Sequence, residues 1–237
     1  MAANPVNVED WTVVTPAYRP QRLRRSWKSI RDAHYGRLRA IVVAGNEATA
    51  AEAKDLGAEA VAMNPGRFIM SRAWNLGLAQ VKTPYAFLVE DDAFLMTPFG
   101  IDEMVRISAD MGDRCILAPA LKGDVLGHQI FAAGAPWEMT DIQPADFTLV
   151  AALLPMDLYR KVGPFDEGFT GYGYDDTDYA IRSIDSGYRV TIYQRVVVNH
   201  ESFLSGYRER PELGRLAFES KCHLVEKYGR RVMAWIR

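Results

Sequence analysis

An apolar strand that ends abruptly in three carboxylates constrains this chain more than any other feature. Tyr85-Ala86-Phe87-Leu88-Val89 reads as a strand, Glu90-Asp91-Asp92 follows without a spacer, and Thr97-Pro98 is the next breaker. In open parallel sheets ligands bind beyond the carboxyl ends of the strands, so acids placed there face a cleft. Adjacent carboxylates at such a point suit a hard divalent cation held by oxygen ligands together with a phosphate.

A second acidic group lies in the stretch 163–203, which carries an aromatic and glycine run, a helical segment, a strand pair and a histidine. Asp175, Asp176 and Asp178 stand where Gly171-Tyr172-Gly173-Tyr174 gives way to a helical pattern, with Ile181 and Ile184 at helix spacing and Gly187 as the stop. Carboxylates in a first helical turn cap amide groups and complement the macrodipole. Three of them in four positions exceed what one cap needs, because like charges repel, and a cation or a transferable proton would relieve them. His200 follows the apolar run Val196-Val197-Val198 at a strand end, where a histidine is structural unless a metal partner lies elsewhere. The Glu90-Asp91-Asp92 stretch offers that partner, and one imidazole among carboxylates favours manganese while leaving magnesium open.

These residues carry a family resemblance. Gly163-Pro164-Phe165-Asp166-Glu167-Gly168-Phe169, then Gly171-Tyr172-Gly173-Tyr174-Asp175-Asp176-Thr177-Asp178, Arg182, Gly187-Tyr188-Arg189-Val190 and Val198-Asn199-His200 resemble the carboxy-terminal half of a family 2 glycosyltransferase of GT-A fold. Glu90-Asp91-Asp92 resembles that family's metal-binding DxD-type motif. The resemblance covers roughly 11–205. It implies an α/β fold: a mostly parallel, twisted, Rossmann-like sheet flanked by helices, in one domain over 1–237. About 11–120 would bind the nucleotide sugar, about 121–205 would bind the acceptor and catalyse, and 206–237 would be a helical extension.

The resemblance also assigns roles. Asp92 and His200 would hold the divalent ion, Asp91 the ribose, with Glu90 in support. Asp176 would be the catalytic base of an inverting transfer, flanked by Asp175 and Asp178. Thr15-Pro16-Ala17-Tyr18-Arg19 resembles the opening nucleotide-binding turn, and Met70–Leu78 the segment in which Arg72 and Asn75 line the donor site. Gly173, Tyr174 and Asp175 would meet the acceptor. The family's aspartate after the second strand is replaced here by Val42-Val43-Ala44-Gly45-Asn46, which leaves Ala44 at that place and Asn46, Glu47 or the backbone to hold the base.

Other expectations come from the residues alone. Strands are expected at Trp11–Thr15, broken by Pro16, and at Leu38–Val43, Cys115–Ala120 and Phe147–Leu154. Helices are expected after Pro16 with Leu23, Trp27 and Ile30 inward, at Asn46–Leu56, Met70–Leu78 with Trp74 and Leu78 in the core, Ile101–Met111, Met156–Val162 and Pro211–Tyr228. The Gly-, Pro- and Asp-rich stretch 122–146, with His128, Trp137 and Glu138, reads as a functional loop for the acceptor. From Arg19 to Arg39 eight basic residues face one acid, Asp32, which is either a solvated face or a patch for an anionic acceptor. Arg72 has its own alternative, a surface salt bridge.

A formal charge of −2 argues against a general nucleic-acid binder. The polar start MAANPVNVEDW and the absence of a bilayer-length apolar run suggest a soluble, cytosolic protein, whose last residues, Arg230 to Arg237, could touch a membrane surface. Cys115 and Cys222 read as reduced structural thiols. The expected activity moves a sugar from a nucleoside-diphosphate sugar to a glycan, lipid-linked glycan, protein or modified nucleic-acid base. A metal-dependent nucleotidyltransferase or phosphohydrolase, or a non-catalytic carbohydrate-binding relative, fits the same acids.

Overall fold

The first strand, β1 (Trp11–Ala17), has no exposed residue, and its alternate side chains enter two different cores. Trp11 and Val13 join one cluster and Val14 the other, so both sheet faces must be covered, as expected for parallel strands crossed by helices. The structure is a computed structural model that describes residues 10–34, 38–64, 66–123, 129, 138–201 and 212–233.

After β1 come α1 (Pro20–Asp32), β2 (Ala40–Ala44), α2 (Glu47–Asp55), β3 (Ala60–Met63), α3 (Met70–Leu78), β4 (Tyr85–Val89), β5 (Ala93–Leu95), α4 (Gly100–Asp110) and β6 (Cys115–Gly123). The remainder comprises β7 (Met139–Asp141), a 3-10 turn Pro144–Asp146, β8 (Ala151–Pro155), α5 (Met156–Val162), α6 (Asp175–Asp185), β9 (Arg189–His200) and α7 (Leu213–Tyr228), which runs into a second 3-10 turn at Gly229–Val232. The nine strands form one sheet in the order β3-β2-β1-β4-β8-β6-β9-β5, with β7 beside β9. The strands β3, β2, β1, β4, β6 and β9 point one way; β8, β5 and β7 run against them. The sheet is therefore mostly parallel.

Local chemistry explains the helix starts. Pro20 opens α1 at a position where its missing amide costs nothing, and Asn46 caps α2 by accepting from the Thr49 amide at 2.9 Å. Trp74 and Leu78 are fully buried, as their spacing predicts.

Several expected boundaries move. Pro16 does not break β1, which continues in register with β2 to Ala17; β4 pairs with β1 only as far as Val14, so a residue without an amide sits where one side of the strand is already unpaired. The expected strand pair before His200 is one strand, β9. Its residues 189–193 pair with 115–119 and its residues 197–200 with 120–123, and the register shift between them mimics a break. Of the expected strand Phe147–Leu154 only the end is extended, because 147–150 leave the 3-10 turn and enter β8 at Ala151. Phe218, expected on the apolar face of the last helix, is 64% exposed, and Cys222 is exposed while Cys115 is buried. Burial raises the Cys115 thiol to about 11, which keeps it inert.

Candidate active site

In the order β3-β2-β1-β4 the connections leave β1 to opposite sides, so the carboxyl ends of β1 and β4 flank a switch point of the sheet. The three acids after β4 lie there, and each is committed differently. Asp91 turns to the β1–α1 turn: its Oδ2 accepts from the backbone amides of Tyr18 at 2.9 Å and Arg19 at 3.1 Å. Burial raises its carboxyl above the usual range, and those two amides counteract part of the rise.

Asp92 faces the end of β9. Its Oδ1 lies 3.5 Å from His200 Nε2, and Glu90 Oε2 lies 3.7 Å from the same nitrogen. The antiparallel pairing of β5 with β9 sets this meeting, since Ala93 is the register partner of His200. One ligand atom from each of Glu90, Asp92 and His200 falls within 4.8 Å of the others, and two carboxylate oxygens with one imidazole nitrogen suit a manganese-type ion. Against the effect of burial, His200, Arg22 and Arg19 hold the Asp92 carboxyl below its usual value. Arg22 Nη1 donates to Asp92 Oδ2 at 3.0 Å.

The second acidic group reaches the first through residues 149 and 150. Glu90 donates its amide to Val150 O at 3.0 Å, while Asp176 Oδ2 accepts the Leu149 amide at 3.3 Å. Burial, then Asp92, Asp91, Asp175 and Asp176, push Glu90 well above the carboxylate range, so five acids share one field. Asp176 is pinned by a second amide, that of Thr177, on Oδ1 at 2.7 Å. Burial raises both Asp176 and Asp175; for Asp175, with Asp176 beside it, the value reaches about 7. Gly173 and Tyr174 precede α6 with φ of 74° and 69°, and a left-handed tyrosine is an uncommon conformation of the kind that clusters at functional sites.

Asp178 stands apart from this pair. Its side chain is fully buried and takes Arg182 Nε at 2.9 Å, Tyr228 Oη at 2.7 Å and Lys227 Nζ at 2.6 Å. Lys227 also reaches Asp166, and Tyr172 donates its amide to Leu216 O at 3.3 Å, so α7 clasps the loop that carries the acids. No residue pattern signalled that the carboxy-terminal helix holds this loop.

Other expected residues are placed as follows. Thr15, Pro16 and Ala17 are buried in β1, Ala44 is buried in register with Ala17, and Tyr18 is the first exposed side chain, half exposed and edge-on to Phe68. Phe68 was not anticipated. Asn46 is used locally, by Thr49 and by Tyr18 O, rather than left for a base. Asn75 ties α3 to Phe165 and Glu167, with its Oδ1 accepting from the Phe165 amide at 2.8 Å. Arg72 forms an ion pair with Glu167, with Nε to Oε2 at 3.3 Å. His128 and Trp137 lie outside the described residues.

Most described side chains of the basic run have partners. Arg24 pairs with Glu52, Arg25 with Glu201, Lys28 with Asp32, and Arg31 donates to Leu56 O, while Arg19 and Arg22 turn inward to Asp92. No helix among the described residues is long and apolar enough to cross a membrane.

No family model and no curated protein matches the chain. Solved structures do. The mannosyltransferase PcManGT from Pyrobaculum calidifontis, in complex with GDP-Man and Mn2+, matches with a TM-score of 0.69 at 16% identity, over 95% of this chain and 66% of that one. GalNAc-T7 with UDP, GalNAc and Mn2+ matches at 0.64 and 11%, over 82% and 44%. S. aureus TarS matches at 0.61 and 14%, over 84% and 38%. The chain thus spans 38% to 66% of the length of these structures. It has the GT-A-like glycosyltransferase fold.

Proposed function

We propose that the chain is a metal-dependent, inverting glycosyltransferase that moves a sugar from a nucleoside-diphosphate sugar to an acceptor hydroxyl. The observation that carries the reading is the convergence of three separate stretches, the end of β4, the end of β9 and the start of α6, on one group of carboxylates with a single imidazole. Similarity in fold to proteins solved with Mn2+ and nucleotide or nucleotide sugar supports it.

In this reading residues of about 11–120 hold the donor and those of about 121–205 the acceptor. Asp92, His200 and Glu90 would hold the divalent ion, manganese before magnesium, which when bound offsets charge on the departing diphosphate. Tyr18, half exposed beside Phe68, offers an aromatic face for the base. Asp91 fixes the turn that presents Tyr18 and keeps Oδ1 for the ribose. Arg72 and Asn75 order the donor side through Glu167 and Phe165. Gly173, Tyr174 and Asp175 border the acceptor.

Asp176 takes the proton of the acceptor hydroxyl. Its two amide bonds fix the carboxylate in place, and its raised pKa brings it nearer to operating pH, where a base both stays ionised and binds the proton well. A base on the face opposite the leaving group gives inversion.

Incubation with UDP-, dTDP-, GDP- and CDP-sugars and Mn2+ should stabilise the protein against heat with one nucleotide class, and with an accepted acceptor should release nucleoside diphosphate and glycosylated product. Pyrophosphate or phosphate as product would place the chain among nucleotidyltransferases or phosphohydrolases instead. Asp176→Asn should abolish transfer while donor binding survives. Retention of a tenth of wild-type turnover, an order-of-magnitude threshold for a group worth 10²–10⁴-fold, would move the role to Asp175.

A further inference from the structure

We infer that Arg19 and Arg22 form a protein-borne cationic site for the donor's diphosphate, beside the carboxylates that would hold the metal. The inference rests on the donor reading above and adds to it which side chains of α1 and its entry turn bind the phosphates.

The basic residues that follow within α1 are spent on neighbours. Arg24, Lys28 and Arg31 find partners on the protein surface, and Arg25 pairs with Glu201 and lies 4.6 Å over the Phe94 ring. Arg19 and Arg22 turn to Asp92. Arg22 is largely buried, and its Nη1 donates to Asp92 Oδ2 at 3.0 Å and to Glu201 O at 3.2 Å, joining the ends of β4 and β9. Arg19 Nη1 lies 4.0 Å from the same Asp92 oxygen, is shielded from solvent, and has no hydrogen-bond partner among the described residues. An unmade bond on a buried charged donor is costly, and an oxygen anion entering the cleft would complete it.

The backbone at this point is fixed. The amides of Tyr18 and Arg19 are both taken by Asp91, so Arg19 leaves a rigid turn rather than a loose loop. Guanidinium forks suit phosphate oxygens, which they can bind two at a time.

The charge balance points the same way. Glu90, Asp91, Asp92, Asp175 and Asp176 already crowd the cleft, and a diphosphate brings further negative charge. A divalent ion offsets only part of that, whereas two guanidinium groups bring two more positive charges. Asp92 is divided between the two kinds of cation: Oδ1 faces His200 and Oδ2 faces the arginines. Arg22 therefore restricts Asp92 to one oxygen for the ion and weakens the field the ion meets. The cost is looser metal binding, and the gain is a diphosphate site that persists when the metal is absent.

The test uses inorganic pyrophosphate as the probe, because it carries no base or sugar. By calorimetry in EDTA the wild-type protein should bind pyrophosphate, and the Arg19→Met/Arg22→Met protein should bind it at least about tenfold more weakly, the loss expected for a charge-assisted hydrogen bond. Arg22→Lys, which keeps the charge but not the fork, should fall between them. Electron paramagnetic resonance on the protein with Mn2+ alone should show Arg22→Met binding the ion about threefold or more tightly than wild type, since a like charge has been removed. Unchanged melting temperatures would show that both variants are folded.

Pyrophosphate binding that is absent in EDTA, or equal in the double variant, overturns the inference, as does Mn2+ affinity that is unchanged or weaker in Arg22→Met. If UDP, GDP, dTDP and CDP bind in the presence of Mn2+ while those results fail, the donor reading stands and only the arginine site falls. If none of the four binds even with Mn2+, the donor reading falls and takes this inference with it.

Discussion

Lys227 is the clasp between the carboxy-terminal helix and the acid-bearing loop, and Lys227→Met measures what it holds. Its ammonium lies 2.6 Å from Asp178 Oδ1 and 2.7 Å from Asp166 Oδ2. Methionine retains most of the apolar stem, so packing is largely preserved and the charge is what goes. Removing the only partner of a buried charge costs about 3–5 kcal/mol. Asp178 keeps Arg182 and Tyr228, and Lys227 is itself 29% exposed, so a single charged hydrogen bond is the better guide. That gives a loss of about 2 kcal/mol at pH 7.

Acid should change this figure in a defined direction. Burial alone would raise the Asp166 carboxyl, but Lys227, the Gly168 amide and His223 overcome it and bring it to about 2, below the 3.8 of the unfolded chain. A depressed carboxyl stabilises the fold above its unfolded pKa and loses that contribution as pH falls through the folded value. The full shift corresponds to about 2.5 kcal/mol, and solvent screening at this partly exposed group reduces it to about 1 kcal/mol. Since Lys227 supplies much of the depression, the gap between wild type and Lys227→Met should narrow by up to about 1 kcal/mol between pH 5 and pH 2.5. Urea unfolding at matched slopes reads both numbers. A variant within about 0.5 kcal/mol of wild type at pH 7, the ordinary range for surface changes, would refute the clasp. A gap that widens on acidification would refute the assignment to Asp166.

Two further substitutions probe how the loop and the donor-side helix are held. A Cβ at Gly171 would stand 2.1 Å from Leu216 O and 2.5 Å from Ser220 Oγ, and since the first is backbone, Gly171→Ala should cost about 1–3 kcal/mol, read as a lower melting temperature. Asn75→Ala removes the amide that donates to Phe165 O at 2.9 Å and Glu167 Oε1 at 3.0 Å and accepts from the Phe165 amide; it should lose about 2 kcal/mol in urea unfolding, and no loss would mean the α3 contact is idle.

The fold was legible where one physical signal acted alone. Helices α3 and α5 fall on the expected residues because their apolar spacing coincides with uninterrupted packing on a sheet face. Three short strands were not anticipated. β3, β5 and β7 are three or four residues each, too short for alternation to register, and they exist because a neighbour supplies the ladder. The single strand β9 read as two because its pairing with β6 shifts register between Pro119 and Ala120 while its own chain continues.

The site was legible in its membership and illegible in its division of labour. Three adjacent acids after an apolar strand mark a cleft, yet nothing in Glu90-Asp91-Asp92 says which carboxylate is spoken for. Their partners come from residues 70 to 110 positions away: the Tyr18 and Arg19 amides take Asp91, Arg22 and His200 take Asp92, and Glu90 faces the same imidazole. Asp176 and Asp178 divide in the same way, one pinned by amides at the cleft and the other buried under α7. The basic run shows the limit most clearly. Counting charges along 19–39 suggests a surface for an anion, and Arg24, Arg25, Lys28 and Arg31 are already tied to neighbours. Arg19 and Arg22 face inward because α1 begins at Pro20, directly after the turn that Asp91 fixes, and a helical start there carries these two, three residues apart, to the same side. Local pairing, rather than charge density, decides which of these arginines turn to the carboxylates.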